Sequence, residues 1–294
     1  HREFETTAAR FFGTEAALCF ANGYAAALGT LGAFLRKGDV AIVDKLCHAC
    51  LIDGVRLSGA TLRVFPHNRV DKLRQLLAWA FSKVDPYDGR VLVITESIFS
   101  MDGDQARLSE IVQATKETGA LLMLDEAHAI GLLGEGGRGL AEAEGVARSI
   151  DLRMGTMGKA VGAAGGIVAG SEEAIALLWN RARSFIFSTA PPPAQAAAAT
   201  EGLNLIASSE GDQLRSRLRA RIDQFHAALG GAIPRAVTSD HEKGNPPSLL
   251  SPILPVFIGD EKLAVGISQE LRKEGVLCPA LRYPTVARGS ARLR

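Results

Sequence analysis

Short apolar runs alternate along the first two-thirds of the chain with segments whose apolar residues recur at helical spacing. The apolar runs, which are the candidate strands, are "DVAIVD" (39–44), "TLRVF" (61–65), "RVLVIT" (90–95), "ALLMLD" (120–125) and "GGIVAG" (165–170). Such continuous runs are typical of strands buried on both faces of a parallel sheet. Helical spacing occupies 70–83 and 108–118, and Gly119 ends the second segment. The pattern predicts an α/β fold in which helices sandwich a mainly parallel central sheet.

The pattern changes after "STAPPPAQ" (188–195). The following segments are, in order, helical (195–208 and 212–231), a polar loop (239–248), a strand (253–259), a helix (261–275) and a strand (276–281). We therefore expect a large domain over 1–208 and a smaller α+β domain over 209–294.

The stretch from Ala16 to Leu35 is mostly apolar and about long enough to span a bilayer. However, "NGY" interrupts it, Gly29 and Gly32 follow, and alanine dominates its composition. These features favour a buried helix, and we expect no membrane span.

Composition and charge narrow the function classes. The 294 residues are 47% hydrophobic and 22% charged, as in ordinary globular proteins. The net charge of +1 gives no sign of nucleic-acid binding. Four cysteines and no signal peptide favour a reducing cytoplasm. Because the chain begins with His1 rather than Met, we expect a piece of a longer protein.

The segment "LLMLDEAHAIG" (121–131) contains the letters D-E-A-H that mark the ATP site of some helicases. That function needs a P-loop upstream. The only Gly-Lys pair, Gly158-Lys159, comes downstream, with Arg153 in place of the first glycine and Ala160 in place of Ser/Thr. The P-loop ATPase hypothesis is therefore disfavoured.

Two further motifs have structural and functional interpretations. "GEGGRG" (134–139) fits the dinucleotide fingerprint in letters, but it does not follow a strand directly, which favours a glycine-rich turn. "CHAC" (47–50) has the spacing of a redox pair or half a zinc site, but no second ligand pair occurs elsewhere, so no metal is expected. His48 follows a predicted strand and is either structural or part of a site at the end of that strand.

The segment "GTMGKAVGAAGG" (155–166) holds one lysine, Lys159, among small residues ahead of a predicted strand. Small residues allow a ligand close approach, and a lysine amine forms a Schiff base with an aldehyde cofactor. Pyridoxal phosphate (PLP) also needs an acid at its pyridine nitrogen and a phosphate cradle. Asp125 suits the first need. "NGY" (22–24), which opens a helical segment, suits the second, together with the hydroxyl of Thr156.

Seven segments resemble the PLP-dependent α-oxoamine synthase family of fold-type I and run in the family's order across the chain. They are "FANGYAAALG", "DKLCHACLIDG", "TESIFSMDGD", "LDEAHAIGLLGEGGRG", "GTMGKAVGAAGG", "NRARSFIFSTAPPPA" and "PTVARGSARLR". Two of them, "NRARSFIFSTA" and "ARLR", are most similar to the biotin-pathway branch of the family. The other branches are aminoketobutyrate CoA ligase, 5-aminolevulinate synthase and serine palmitoyltransferase.

The resemblance implies a role for each matching residue. Lys159 would carry PLP, Asp125 would bind the pyridine nitrogen, and His48 would stack on the cofactor ring and assist catalysis. The implied cofactor contacts are Gly23, Tyr24, His48, Glu96, Ser100, Asp125, His128, Thr156, Lys159, Ser188 and Thr189. Thr189 would serve the neighbouring subunit's site, which implies a homodimer with shared active sites.

The implied substrates are an amino acid, L-alanine, and an acyl thioester, pimeloyl-CoA or its carrier-protein equivalent. Arg294 would bind the amino acid's carboxylate, with Thr285 and His48 beside the substrate. Glu126 is expected to be a bystander.

Some positions depart from the family pattern. Asn22 stands where serine is usual, Tyr283 and Ala287 replace prolines, and the family's N-terminal segment with its acyl-binding arginine has no match. These departures leave the acyl substrate open. A non-catalytic subunit of a heteromeric synthase is the alternative of another class, and it should lack the lysine found at Lys159.

Overall fold

The computed structural model describes residues 1–229 and 251–294. These residues form two compact units. The first contains His1–Ile98 and Ala106–Arg215, and the second contains Phe99–Gln105 and Ser216–Arg294. The domain boundary expected after residue 208 remains a prediction; the division by compactness falls after Arg215 and places a short internal segment in the second unit.

The first unit is built on a seven-stranded sheet with strand order β1-β7-β6-β5-β4-β2-β3. Its strands are β1 (Ala16–Phe20), β2 (Val40–Asp44), β3 (Thr61–Phe65), β4 (Val91–Glu96), β5 (Leu121–Asp125), β6 (Leu152–Thr156) and β7 (Gly166–Gly170). Strands β2 to β6 pair in parallel, whereas β7 is antiparallel to both β6 and β1. The α/β fold with a mainly parallel sheet is therefore confirmed.

Helices connect these strands and cover both faces of the sheet. The helices of this unit are α1 (Arg2–Phe12), α2 (Gly23–Phe34), α3 (Ala49–Ser58), α4 (Val70–Phe81), α5 (Leu108–Thr118), α6 (Leu140–Ala143), α7 (Glu172–Arg181), α8 (Arg183–Ile186) and α9 (Pro193–Ile206). Helix α10 (Ser209–Leu229) begins in this unit and ends in the second. Helices α2, α3 and α7 pack one apolar cluster against the sheet, and α1 and α9 pack the other.

The stretch from Ala16 to Leu35 corrects one expectation. It is a buried strand, β1, followed by helix α2, rather than a single buried helix. The Asn22 side chain accepts a hydrogen bond from Ala25 N at 2.8 Å and so caps α2. A cap of this kind starts a new helix, which explains why the apolar run is divided there.

Strand β7 was expected in a parallel sheet, and its direction is a second correction. A parallel crossover needs a dozen or more residues, usually a helix. The link from Thr156 to Gly166 is a tight loop, closed by hydrogen bonds from Met157 N to Gly165 O and from Ala163 N to Met157 O, both 2.9 Å. The chain therefore turns back beside β6, and this loop holds Lys159.

The second unit has a three-stranded antiparallel sheet with strand order β8-β10-β9, and the helix α11 (Glu261–Lys273). The strands are β8 (Val256–Gly259), β9 (Ala280–Leu281) and β10 (Ala291–Leu293), of which β10 was not predicted. A buried ion pair joins Arg292 of β10 to Asp102 of the 99–105 segment. The predicted polar loop at 239–248 lies outside the described residues.

Across residues 1–229 and 251–294, the structure contains no helix with the length and apolar character needed to cross a bilayer.

Candidate active site

Two carboxylates lie side by side at the carboxyl ends of neighbouring strands. Glu96 ends β4 and Asp125 ends β5, and the two residues pair in register. Glu96 is 2% exposed and Asp125 is 7% exposed. Burial, followed by the negative charge of Asp125, raises the pKa of Glu96 to about 8. Burial also raises the pKa of Asp125, whose Oδ1 accepts a hydrogen bond from Ala127 N at 2.8 Å. A cation beside Asp125 would therefore be stabilised strongly.

Lys159 supplies one cation near this pair. Its Nζ lies 3.1 Å from Nε2 of His128, which follows β5 by three residues. The charge of Lys159 opposes the upward pKa shifts of both Glu96 and Asp125. The chain thus brings together a loop lysine, a histidine and a buried carboxylate.

The first turn of α2 meets the end of β6. A Cβ placed on Gly23 would lie 3.4 Å from Cβ and 3.6 Å from Oγ1 of Thr156. Helix N-termini carry backbone N–H groups without intrahelical partners, which bind phosphate well. Tyr24 is half exposed, and its hydroxyl donates to Oδ2 of Asp53 at 3.1 Å, which raises the pKa of Tyr24. Gly23 and Thr156 are therefore neighbours beside a helix N-terminus.

His48 caps helix α3 at the carboxyl end of β2. Its Nδ1 accepts a hydrogen bond from Cys50 N at 3.2 Å, and its backbone N–H donates to Oε1 of Glu96. The His48 residue itself is exposed. Its contact with Glu96 links it to the carboxylate pair.

Five further residues were predicted to belong to the site: Ser100, Ser188, Thr189, Thr285 and Arg294. Ser188 and Thr189 are exposed after α8, and the Ser188 hydroxyl donates to Ser184 O at 2.7 Å. Ser100, Thr285 and Arg294 belong to the second unit, and their place at the site remains a prediction. Partial burial lowers the pKa of Arg294.

Glu126 is not a bystander in the fold, which corrects the expectation from the sequence. It is fully buried and forms an ion pair with Arg153, whose NH2 lies 3.1 Å from Oε1 of Glu126. Its carboxylate also accepts hydrogen bonds from Leu140 N at 3.0 Å and Ala141 N at 3.1 Å. The sequence signal that could have revealed this pair is Arg153 itself, a charged residue between the apolar Leu152 and Met154.

The "GEGGRG" segment (134–139) is a turn around this buried carboxylate. Gly139 has φ 106°, and a Cβ there would lie 2.6 Å from the carboxylate of Glu126. Gly137 N donates to Gly134 O at 3.1 Å and Gly131 N donates to Gly137 O at 2.7 Å. The glycines therefore allow close backbone packing, as the structural interpretation predicted.

The thiols of "CHAC" have little thiolate character. Both are free; burial raises the pKa of Cys50 to about 12 and that of Cys47 well above its usual value. A reactive redox thiol needs a lowered pKa. Within the part of the chain that the structure describes, no group of three or more His, Cys, Asp or Glu residues could hold a metal ion.

The chemistry of this group of residues fits PLP. Asp125 offers a carboxylate whose burial favours a cationic partner, which a protonated pyridine nitrogen provides. Lys159 offers a primary amine in a loop of small residues, and Gly23 with Thr156 offers a place for a phosphate. With the sheet and its tight β6–β7 loop, these features define a fold-type I PLP-dependent enzyme.

Comparison with known proteins supports the assignment to PLP-dependent enzymes. Residues 1–294 match the aminotransferase class I and II family. The 8-amino-7-oxononanoate synthase of Geobacter sulfurreducens is 45% identical over 294 residues, covering all of this chain and 71% of that protein. The chain belongs to the aminotransferase class I and II family and is a PLP-dependent acyltransferase of the α-oxoamine synthase type.

Solved structures show the same fold. The serine palmitoyltransferase of S. paucimobilis with bound PLP–myriocin aldimine has a TM-score of 0.88 and 31% identity, covering 99% of this chain and 70% of that one. The 8-amino-7-oxononanoate synthase of Francisella tularensis has a TM-score of 0.81 and 28% identity, covering 99% and 79% respectively.

Proposed function

We propose that this protein condenses L-alanine with a pimeloyl thioester, either the CoA or the carrier-protein form. The products are 8-amino-7-oxononanoate, CO2 and the free thiol, in a step of biotin biosynthesis. The observation that carries the proposal is the approach of Lys159 Nζ to His128 Nε2, 3.1 Å, beside the buried Asp125. Its choice of substrates is supported by relatives named 8-amino-7-oxononanoate synthase.

PLP, when bound, supplies an electron-withdrawing pyridinium that stabilises negative charge on the substrate's α-carbon. Asp125 would keep the proton on the pyridine nitrogen. Its carboxylate is buried, and a positive charge beside it stabilises its ionised form. Lys159 would hold the cofactor covalently through its Nζ. The same amine, when free, would act as the base that accepts the proton from the α-carbon of the amino acid.

The other residues bind and orient. Gly23, Tyr24 and Thr156 hold the phosphate at the N-terminus of α2. His128 and Ser100 would contact the cofactor near its ring hydroxyl, and His48 would cover the ring and assist loss of CO2. Glu96 orders this side of the site.

The substrate contacts and the assembly are part of the proposal. Arg294 binds the carboxylate of alanine, in a geometry suited to its planar donors, and Thr285 lies beside the substrate. Two copies of the chain would form a homodimer in which Thr189 serves the partner's cofactor, and Ser188 is a further cofactor contact. Similar chemistry on another amino acid is the second candidate, because serine palmitoyltransferases share the fold with a TM-score of 0.88.

A substrate panel tests the proposal. The protein, loaded with PLP, is incubated with alanine, glycine or serine, each paired with pimeloyl-CoA, acetyl-CoA, succinyl-CoA or palmitoyl-CoA, and the aminoketone is identified by mass spectrometry. Alanine with pimeloyl-CoA should give the highest kcat/KM. Preference for another pair would assign the protein to another branch, and no PLP-dependent aminoketone with any pair would refute the synthase function.

A further inference from the structure

His48 is held from two directions, by Glu96 and by Cys50. On the backbone side, its N–H donates to Oε1 of Glu96. On the side-chain side, Nδ1 lies 3.2 Å from the backbone N and 3.0 Å from Sγ of Cys50. The ring and the backbone of His48 are thus fixed together.

The contacts at Nδ1 determine where the ring carries its proton. The backbone N–H of Cys50 is always a donor, so Nδ1 must accept. Burial raises the pKa of the Cys50 thiol to about 12 and keeps its proton on sulfur, so the thiol is able to share in donation to Nδ1. With Nδ1 occupied as an acceptor, the proton of the neutral ring resides on Nε2.

Glu96 holds the backbone of His48, whereas Cys50 holds its ring. Glu96 is 2% exposed at the end of β4, where its partner across the sheet is Asp125. The hydrogen bond from His48 N–H to Glu96 is partly buried, so loss of the Glu96 oxygen would weaken the hold on the turn that presents His48.

Resting on the proposed function, which places His48 against the cofactor, we propose that Cys50 and Glu96 are positioning residues that act through His48. They hold the ring with its proton on Nε2, so His48 serves the reaction as a hydrogen-bond donor to a substrate oxygen rather than as a base at Nδ1. The first cysteine of the motif has no such role, since Cys47 Sγ lies 3.8 Å from Ile94 O instead.

The tautomer is measured directly by 15N NMR of histidine-labelled holoenzyme. The chain has six histidines, and the His48 signals are those lost in His48→Gln. We expect Nδ1 with the shift of an unprotonated nitrogen and Nε2 with that of a protonated one. A proton on Nδ1 would overturn the proposal.

Kinetics separate positioning from simple helix capping. Cys50→Ala should lower kcat about fivefold at equal PLP occupancy, the effect of one neutral hydrogen bond, and Cys50→Ser, which keeps a donor, should restore it. Glu96→Ala should lower kcat about tenfold or more, and Glu96→Gln, which keeps an acceptor oxygen, should stay within about twofold of wild type. Cys47→Ala is the matched control and should keep its kcat.

Equal kcat values in Cys50→Ala, Cys50→Ser and Cys47→Ala would overturn the role of Cys50, even if Cys50→Ala lowered the melting temperature. Equal kcat values in the two Glu96 variants would overturn the role of Glu96. Absence of PLP-dependent turnover in the wild-type protein would refute the proposed function itself. Normal wild-type turnover with the proton on Nδ1 would refute this inference alone.

Discussion

Asp125 and Glu126 are neighbours in the chain, but their carboxylates meet different partners. Asp125 belongs to the group formed with Glu96 and Lys159, whereas Glu126 is paired with Arg153 inside the fold. The first is therefore expected to matter for chemistry and the second for stability. In the sequence, Asp125 and Glu126 belong to one D-E-A-H motif, and the motif does not show that their roles differ.

Asp125→Asn should retain PLP and lower kcat about a hundredfold or more, the effect of removing one preorganised charge contact from an active site. The cause is loss of the charge that keeps the pyridine nitrogen protonated. Turnover and exchange of the α-proton of alanine in D2O measure this effect, and exchange at the wild-type rate would exclude the proposed role of Asp125.

Glu126→Gln should lower the free energy of unfolding by about 3 kcal/mol or more, because it leaves the buried Arg153 charge without a counterion. Denaturant unfolding measures the loss. Glu142→Gln is the control: Glu142 forms a partly exposed pair with Arg138 at 3.9 Å, and its change should cost less than about 1 kcal/mol. Equal losses of unfolding free energy in Glu126→Gln and Glu142→Gln would show that the buried ion pair contributes no more to stability than the partly exposed one.

At the scale of elements, the sequence predicted five strands to within one residue but missed β1, β6 and β10. Strand β6 carries Arg153 in a short run ending in Gly155 and Thr156, so its apolar pattern is weak. Strand β1 merges with the apolar helix α2, and only the cap at Asn22 separates them. The local pattern of apolar residues cannot show that Arg153 forms an ion pair with Glu126, which lies 27 residues earlier in the chain.

The N-terminus of α2 provides a test of the phosphate site. Gly23→Ala should leave the fold intact, since the new Cβ meets Thr156 at an ordinary contact distance of 3.4 Å, but the methyl should lower PLP affinity about tenfold. Gly32→Ala is a control in the same helix, where a Cβ meets nothing within 4 Å. Titration of apoprotein with PLP measures the affinities, and equal affinities would contradict this placement of the phosphate.

Glu96, at the end of β4 beside Asp125 of β5, predicts that stability depends on pH. Burial raises the pKa of Glu96 from 4.5 to about 8, so between these values the folded state binds more protons than the unfolded state. This contribution to stability is fully present below the unfolded pKa and is lost as pH rises through the folded pKa. The free energy of unfolding of wild-type apoprotein, relative to Glu96→Gln, should therefore fall from about pH 5 to about pH 8.5. A constant or rising difference in urea titrations would contradict the shift.

At the scale of the whole molecule, the sequence predicted the fold and the PLP cofactor. Its predicted site residues Lys159, Asp125 and His128 are neighbours in the structure, and their roles remain a prediction. The sequence did not reveal Cys50 as a partner of His48 or Arg153 as the partner of Glu126, since those contacts depend on side-chain directions after folding. The roles of Ser100, Thr285 and Arg294 rest on resemblance.

The proposed sharing of active sites between two subunits predicts complementation. In a random mixture of Lys159→Ala and Thr189→Ala chains, half of the dimers are mixed and each has one complete site, so activity should reach about a quarter of wild type. A mixture of Lys159→Ala and Asp125→Asn chains is the control, because both residues serve the site of their own chain and no complete site forms. Equal activity in the two mixtures would contradict a contribution of Thr189 to the partner's site.

The most direct test of the central claim is the position of the cofactor. The PLP-loaded protein is reduced with borohydride, digested and mapped by mass spectrometry. We predict a pyridoxyl-phosphate mass on the peptide containing Lys159, and its loss together with the visible absorbance of bound PLP in Lys159→Ala. A label on another lysine, or no label, would contradict the account.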